Sequence, residues 1–240
     1  MAEETTRPVE LTDDMRTKFN AVSTATLAGQ MQKRGMRNSF LNGLKPLADG
    51  QRMLGYAHTL RYVPRREDFE RRTEGPNAQR RAVESIEPES VLICEARQEP
   101  HAGTIGDIFA MRIKTRGATG FVTDGALRDT PAIAALDFPV YHLSSHAATL
   151  GRIHTPLDHQ VPIACAGVTV FPGDILVGDG EGVVVVPALL AEEVASDAYA
   201  QELEEEWAIE RVAAGESSIG AFPVSDERRP EFEEWLKNRQ

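Results

Sequence analysis

Gly106-Asp107-Ile-Phe-Ala-Met-Arg-Ile-Lys-Thr-Arg-Gly117-Ala-Thr-Gly120-Phe-Val-Thr-Asp-Gly125-Ala-Leu-Arg128-Asp129 is the stretch from which the rest of the chain is read. A glycine turn opens a helix over 107–116. Gly117 and Gly120 then separate that helix from an apolar strand over 120–123. Asp124-Gly125 has the form of a hairpin turn signal, and its expected role is structural, shaping the loop that presents Arg128. Helix and strand joined by small-residue turns are one unit of an α/β layer.

Working outward, the same alternation continues. A polar tail of about ten residues precedes a short helix from Leu11 to about Lys18, with Thr12 as its cap. Ser23 or Thr24 opens a second helix that runs through Arg34 and stops at Gly35, as expected for a glycine at C′. Met53 to Val63 alternates like a strand. Ser90–Glu95 and Val140–Leu143 read as further strands and Thr130–Leu136 as a short helix. Residues 161–187 form a β-rich unit turning at Pro172-Gly-Asp174 and at 179–182. A glutamate-rich helix then runs from Pro187 to Ala214. These elements give a single α/β domain, divided as an N-terminal tail and helix (1–20), an α/β catalytic core (21–190), and a C-terminal helix and tail (191–240). Phe222, Phe232 and Trp235 in that tail are expected to dock on a neighbouring subunit.

Residues 64–82 break the pattern with six arginines and a Gly-Pro. Long irregular segments inside compact domains are loops with a function or without order. The two readings are a solvated charged loop before a helix at 77–86, and an active-site lid whose arginines meet an acidic substrate.

Composition sets limits. The 240 residues bury a substantial core, and the formal net charge of −11 disfavours binding to a phosphate backbone. No apolar run approaches the roughly 20 residues that span a membrane, and no secretory signal opens the chain, so a cytoplasmic location is expected. Cys94 and Cys165 lie in strand-like runs as small buried thiols and lack zinc-site spacing. His142, His146, His154 and His159 have the composition of a zinc site without its motif, and ordinary histidine roles are expected. His101 beside the Gly103 loop is a minor candidate for proton transfer. Lys114 is expected to be an exposed helix residue, not a Schiff-base nucleophile.

Chemistry concentrates in Asp107, Arg128 and Asp129. Two carboxylates can hold a hard divalent cation through oxygen and water. An adjacent guanidinium offers a planar fork to a substrate carboxylate. Together they suit stabilisation of an enolate beside a carboxylate. Asp107 also stands where a helix begins, and unpaired N–H groups there favour anions; simple helix capping is its alternative role.

Gly103-Thr-Ile-Gly106-Asp107, Arg116-Gly117-Ala-Thr-Gly120 and Thr123-Asp-Gly-Ala-Leu-Arg-Asp129 resemble the 4-hydroxy-4-methyl-2-oxoglutarate aldolase family, related to the proteins named regulator of ribonuclease activity A. Gly167-Val-Thr-Val-Phe-Pro-Gly-Asp-Ile-Leu-Val-Gly-Asp-Gly-Glu-Gly-Val-Val-Val-Val-Pro187 matches the family pattern as well. The resemblance covers roughly residues 20–216, and the Asp-x20-Arg-Asp spacing that marks the lyases is present.

The resemblance implies an α/β/β/α swivelling-domain-like sandwich with a C-terminal helical extension. It implies a class II pyruvate aldolase that uses Mg²⁺ or Mn²⁺ and has oxaloacetate decarboxylase side activity. Asp129 would be the direct metal ligand and Asp107 a ligand through water. A glutamate from the adjacent subunit, Glu202 or Glu206 one turn on, would complete the set. Gly106 and the amides of Ile108 and Phe109 would bind the substrate, the two amides taking the carboxylate and keto oxygens of a 2-oxo acid, and Arg128 would pair with the pyruvate moiety. A homotrimer or homohexamer is implied, with no nucleic-acid or membrane partner. The competing function is a non-catalytic, protein-binding regulator of an RNA-processing enzyme, whose signature would be loss of Asp107. A methyltransferase is disfavoured because no Gly-rich cofactor turn follows the first strand.

Overall fold

The computed structural model describes residues 7–68 and 75–239. Its centre is one curled, mixed sheet. Strands β1 (Lys45–Pro46), β2 (Met53–Pro64), β3 (Ser90–Glu95), β4 (Gly120–Leu127), β5 (Val140–Ser145), β9 (Ile175–Gly178) and β10 (Val183–Val186) lie in the order β1-β5-β4-β3-β2-β9-β10. Strand β6 (His154–His159) also pairs with β2, and β7 (Ile163–Cys165) with β8 (Val168–Val170) makes a separate ribbon. Strands β2 to β5 pair in parallel, so each connection needs a crossover. Helices α3 (Ala78–Ser85), α4 (Asp107–Thr115) and α5 (Thr130–Ala134) supply them.

The period-two alternation of the strands sorts their side chains into layers. Leu92, Cys94 and Phe121 face outward under α3, α4 and α5. Val91, Ile93 and Val122 face inward and meet Leu176, Val183 and Val185 of β9 and β10, with the β7–β8 ribbon closing the same core. The opposite faces of β9 and β10, with Ile175, Val177, Val184 and Val186, pack under α1 (Asp13–Ala21), α2 (Thr24–Lys33) and α6 (Ala191–Ala213). One sheet folded over itself between two helical layers gives the α/β/β/α arrangement.

Helix starts follow local chemistry. Thr12, Ser23 and Asn77 each accept a backbone N–H with the side chain and cap α1, α2 and α3. Strand β4 departs from expectation: it passes through Asp124-Gly125 and ends at Leu127. Asp124 is buried, and its carboxylate accepts N–H groups from Ala96, Gln98 and Ala166. The strand shifts register between Thr123 and Ala126 instead of turning back. A Cβ on Gly125 would come within 2.6 Å of Ala96 Cβ and 2.9 Å of Thr104 Cγ2, so only glycine lets the two segments close.

The C-terminal tail corrects its expectation in part. Residues Arg229–Lys237 form helix α7, which folds back on α6 of the same chain. Phe232 and Trp235 pack there around fully buried Trp207, with ring centroids 5.8 Å apart for Trp207–Phe232. Glutamates of α6 are taken up by this docking: Glu204 pairs with Arg229 at 2.6 Å and Glu210 accepts Trp235 Nε1 at 2.9 Å. Phe222 remains exposed beside Ile209 and Val212. No helix among the described residues is long and apolar enough to cross a membrane.

Candidate active site

Parallel strands deliver loops to one end of the sheet, where ligands of open α/β sheets bind. Here the loop after β3 and the end of β4 meet. Thr104 N donates to Ala126 O at 2.7 Å, and Arg128 N donates to Ile105 O at 3.1 Å. The Thr104 hydroxyl donates to Ala126 O at 2.9 Å. The motif at 103–107 is thereby fastened against the residues immediately before and after Leu127.

Two glycines make that contact possible. A Cβ on Gly103 would fall 2.3 Å from Arg128 Cγ, and one on Gly106 would fall 2.6 Å from Asp129 Oδ2. The result is a cleft of about 450 Å³ lined by Gly103 to Phe109, Arg128 and Asp129, with Gln79, Arg80, Thr149 and Leu150 on the remaining wall. Every candidate in the 106–109 and 128–129 segments therefore comes together in one place.

Asp129 holds an unusual backbone. Its φ of 55° and ψ of 34° are left-handed, a conformation that costs about 1–3 kcal/mol for a non-glycine residue and recurs at functional sites. It occupies the N-cap of α5, yet its carboxylate makes no capping hydrogen bond. The backbone carbonyl accepts from Ala132 and Ile133 instead. The carboxylate is left beside Gly106 and 3.6 Å from Arg128 Nε.

Arg128 is equally uncommitted. Its Nε is buried, and among the described residues no acceptor lies within hydrogen-bond distance of its guanidinium. A buried donor left unsatisfied is costly, and the Asp129 carboxylate, 3.6 Å from Nε, is its neighbouring counter-charge. Asp107 lies across the cleft at the start of α4, where its Oδ1 accepts the N–H of Ile108 at 2.8 Å. That amide, expected to bind substrate, is taken up here by the side chain of its own neighbour. Gly106 caps α4 with no side-chain bond.

The two carboxylates test the fit of a divalent cation. Among the described residues no group of three histidines, cysteines or acidic side chains gathers to hold a metal. One chain thus offers Asp107 and Asp129 at the cleft, both hard oxygen donors. A sparse pair of this kind suits Mg²⁺, which keeps several waters. Glu202 and Glu206 do not line this cleft within the chain. Glu202 Oε2 accepts Ser23 N at 3.2 Å, and Glu206 pairs with Arg239.

The remaining candidates take structural roles. Lys114 Nζ donates to the carbonyls of Leu136 and Asp137, away from the cleft. His101 pairs with Glu99. His159 stacks on buried His58 and His154 tilts against Tyr62, and among the described residues no three metal-ligating side chains gather. Burial, with His159 and Arg116 nearby, lowers the pKa of His58 to about 4. Burial, helped by Arg97, does the same for His154. Cys94 and Cys165 are buried free thiols, their pKa values raised chiefly by burial.

Gln79 and Arg80 were not resolved as site residues by sequence reasoning, although the arginine-rich segment ending at residue 82 was the signal. Part of that segment, 69–74, lies outside the described residues. Thr149 and Leu150 carried no signal at all.

The chain is 30% identical over 199 residues to a protein of Halalkalibacterium halodurans named "Putative 4-hydroxy-4-methyl-2-oxoglutarate aldolase", covering 80% of this chain and 86% of that one. Its fold matches the crystal structure of Streptomyces coelicolor RraAS2, described as an unusual member of the RNase ES inhibitor RraA protein family. That match has a TM-score of 0.75 and 32% identity over 83% of this chain and 96% of the other. An uncharacterized protein from Pseudomonas syringae matches with a TM-score of 0.77 and 25% identity, over 89% and 98% of the two chains. The family model described as RraA-like, Aldolase/RraA, matches residues 24–185, and the chain belongs to that family.

Proposed function

We propose that the protein is a divalent-metal-dependent lyase that cleaves a 4-hydroxy-2-oxo acid, of the dicarboxylate or 2-keto-3-deoxy sugar acid type, to pyruvate and an aldehyde or keto acid. Oxaloacetate decarboxylation is its side activity, because both reactions lead to the enolate of pyruvate. The observation that carries this reading is the Arg128 guanidinium, which has no hydrogen-bond acceptor among the described residues and lies 3.6 Å from Asp129 in a cleft that also holds Asp107.

In the cleavage, a proton leaves the 4-hydroxyl and the C3–C4 bond breaks. Its electron pair passes to the C2 carbonyl as an enolate, and C3 then takes up a proton to give pyruvate. Arg128 binds the 2-oxo acid through its fork and neutralises the growing negative charge without reorganising. The amides of Ile108 and Phe109 orient the carboxylate and keto oxygen at the start of α4. Asp129 and Asp107 would hold Mg²⁺ or Mn²⁺, Asp107 through water, and the cation would supply Lewis-acid stabilisation of negative charge. A glutamate of a neighbouring subunit, Glu202 first, would complete the site in a trimer or hexamer.

A second reading, a protein-binding regulator of an RNA-processing enzyme, is favoured by the description of the solved Streptomyces relative. The retained Asp107, Arg128 and Asp129 weigh toward the lyase. The test is pyruvate release from a panel of 4-hydroxy-2-oxo acids and oxaloacetate, with Mg²⁺ and with chelator. Magnesium-dependent release supports the lyase, and no release from any member overturns it.

A further inference from the structure

One backbone carbonyl at the cleft takes two side-chain donors. Thr104 O accepts the Tyr62 hydroxyl at 3.0 Å and Gln79 Nε2 at 2.6 Å. Tyr62 lies near the end of β2 and Gln79 is the second residue of α3, so two separate elements converge on the loop after β3. Tyr62, Gln79 and Thr104 are all buried. Both lone pairs of that oxygen are in use. One donor is enough to satisfy a buried carbonyl. The second fixes where it points.

The rest of Thr104 is tied to β4. Its amide and its hydroxyl both donate to Ala126 O, at 2.7 and 2.9 Å. On the other side of the carbonyl, Ile105 O accepts Arg128 N at 3.1 Å, and Gly106 follows beside Asp129 Oδ2. The peptide plane that carries Thr104 O therefore stands between the fixed end of the loop and the start of α4. Turning that plane would shift Ile105 and Gly106, and with them the contact at Asp129 and the amides of Ile108 and Phe109. Gln79 and Tyr62 hold the plane against that turn.

We infer that Gln79 and Tyr62 are positioning residues that act through the Thr104 carbonyl to set the Ile108 and Phe109 amides against Arg128 and Asp129. The inference rests on the lyase reading for what those groups bind, and on the hydrogen bonds alone for the pinning of the loop. Each donor by itself satisfies the carbonyl, so loss of one leaves the plane held. Loss of both leaves a buried acceptor that reaches water only if the loop moves. Two residues that share one partner in this way are not additive.

A double-mutant cycle of Tyr62→Phe and Gln79→Met, read by pyruvate-release kinetics and by amide hydrogen exchange, tests this. Each single variant should stay within about threefold of wild-type kcat, and the double variant should fall about thirtyfold or more, as expected when reacting groups shift by about 1 Å. The loss should fall on kcat with KM within about threefold, since Arg128 still binds the 2-oxo acid. Val83→Ala, a cavity in the same helix that leaves both bonds in place, should lower the thermal midpoint without that loss. Amides of residues 104–110 should exchange about tenfold or more faster in the double variant, with those of β3 unchanged. Tyr62→Phe with Gln79→Asn, whose shorter amide still donates, should keep part of the rate and serves where the double variant does not fold. A double loss no greater than the product of the single losses, or unaltered exchange at 104–110, would overturn the inference. If the wild type releases no pyruvate from any substrate, faster exchange in the double variant would keep the pinned loop and overturn the lyase alone.

Discussion

Gly106 and Asp129 are separated by 22 intervening residues, yet a single methyl group on the first would lie 2.6 Å from the carboxylate oxygen of the second. The loop after β3 and the left-handed turn after β4 are fitted to each other at that point. Gly106 itself has an extended backbone, φ −121° and ψ −178°, which any residue adopts. Its requirement for glycine is therefore a matter of space around Asp129, not of backbone freedom.

Gly106→Ala should consequently spare the fold and damage the site. The Asp129 carboxylate must move to admit the methyl group, and misplacement by about 1 Å can cost about 10²-fold in turnover. A pyruvate-release rate at least tenfold lower with a thermal midpoint close to wild type is expected. An unimpaired rate would show that the carboxylate has no fixed place in the reaction.

Arg128→Lys keeps the charge and removes the planar fork. Loss of a positioned transition-state donor costs about 10²–10³-fold in turnover, and a drop of that order is expected. Turnover within about threefold of wild type would argue against this role, being far short of that loss.

Much of this was legible in the sequence. Asp107, Arg128 and Asp129 were singled out by residue type and spacing together with the family resemblance, whereas the close approach at Gly103 and Gly106 shows only in the fold. What stayed hidden depends on tertiary contacts. The Asp124-Gly125 pair looked like a turn, since nothing local reveals that Asp124 is buried under the N–H groups of Ala96, Gln98 and Ala166. The aromatic tail looked unpartnered because Trp207, its receiver, sits within a glutamate-rich helix. Gln79 lay within the arginine-rich segment, and only its bond to Thr104 singles it out.

Stability should fall on mild acidification through the histidine core. His58 has a pKa lowered to about 4 by burial, with His159 and Arg116 adding to the effect. In the unfolded chain it titrates near 6.5. The neutral side chain favours the fold fully above pH ~6.5, and that contribution is lost as pH falls toward about 4, by up to about 3 kcal/mol. His58→Gln should flatten the decline of the denaturation midpoint across this window. An unchanged slope would remove His58 as its source.

Assembly is tested by complementation. If Glu202 serves the site of a neighbouring subunit, co-expressed Asp129→Ala and Glu202→Ala chains, each inactive alone, should recover part of the activity, because some interfaces combine intact copies of both residues. An active monomer by light scattering would exclude a shared site. Recovery with Glu206→Ala and not with Glu202→Ala would move the ligand one helical turn.

The central claim, that Arg128 and Asp129 stabilise the enolate of pyruvate, is tested most directly by exchange of the pyruvate methyl protons with deuterium from solvent, followed by NMR. The wild-type protein with Mg²⁺ should exchange them, and chelator, Asp129→Asn or Arg128→Lys should each suppress the exchange. Absence of exchange in the wild type, or exchange that survives both chelator and Asp129→Asn, would contradict the account.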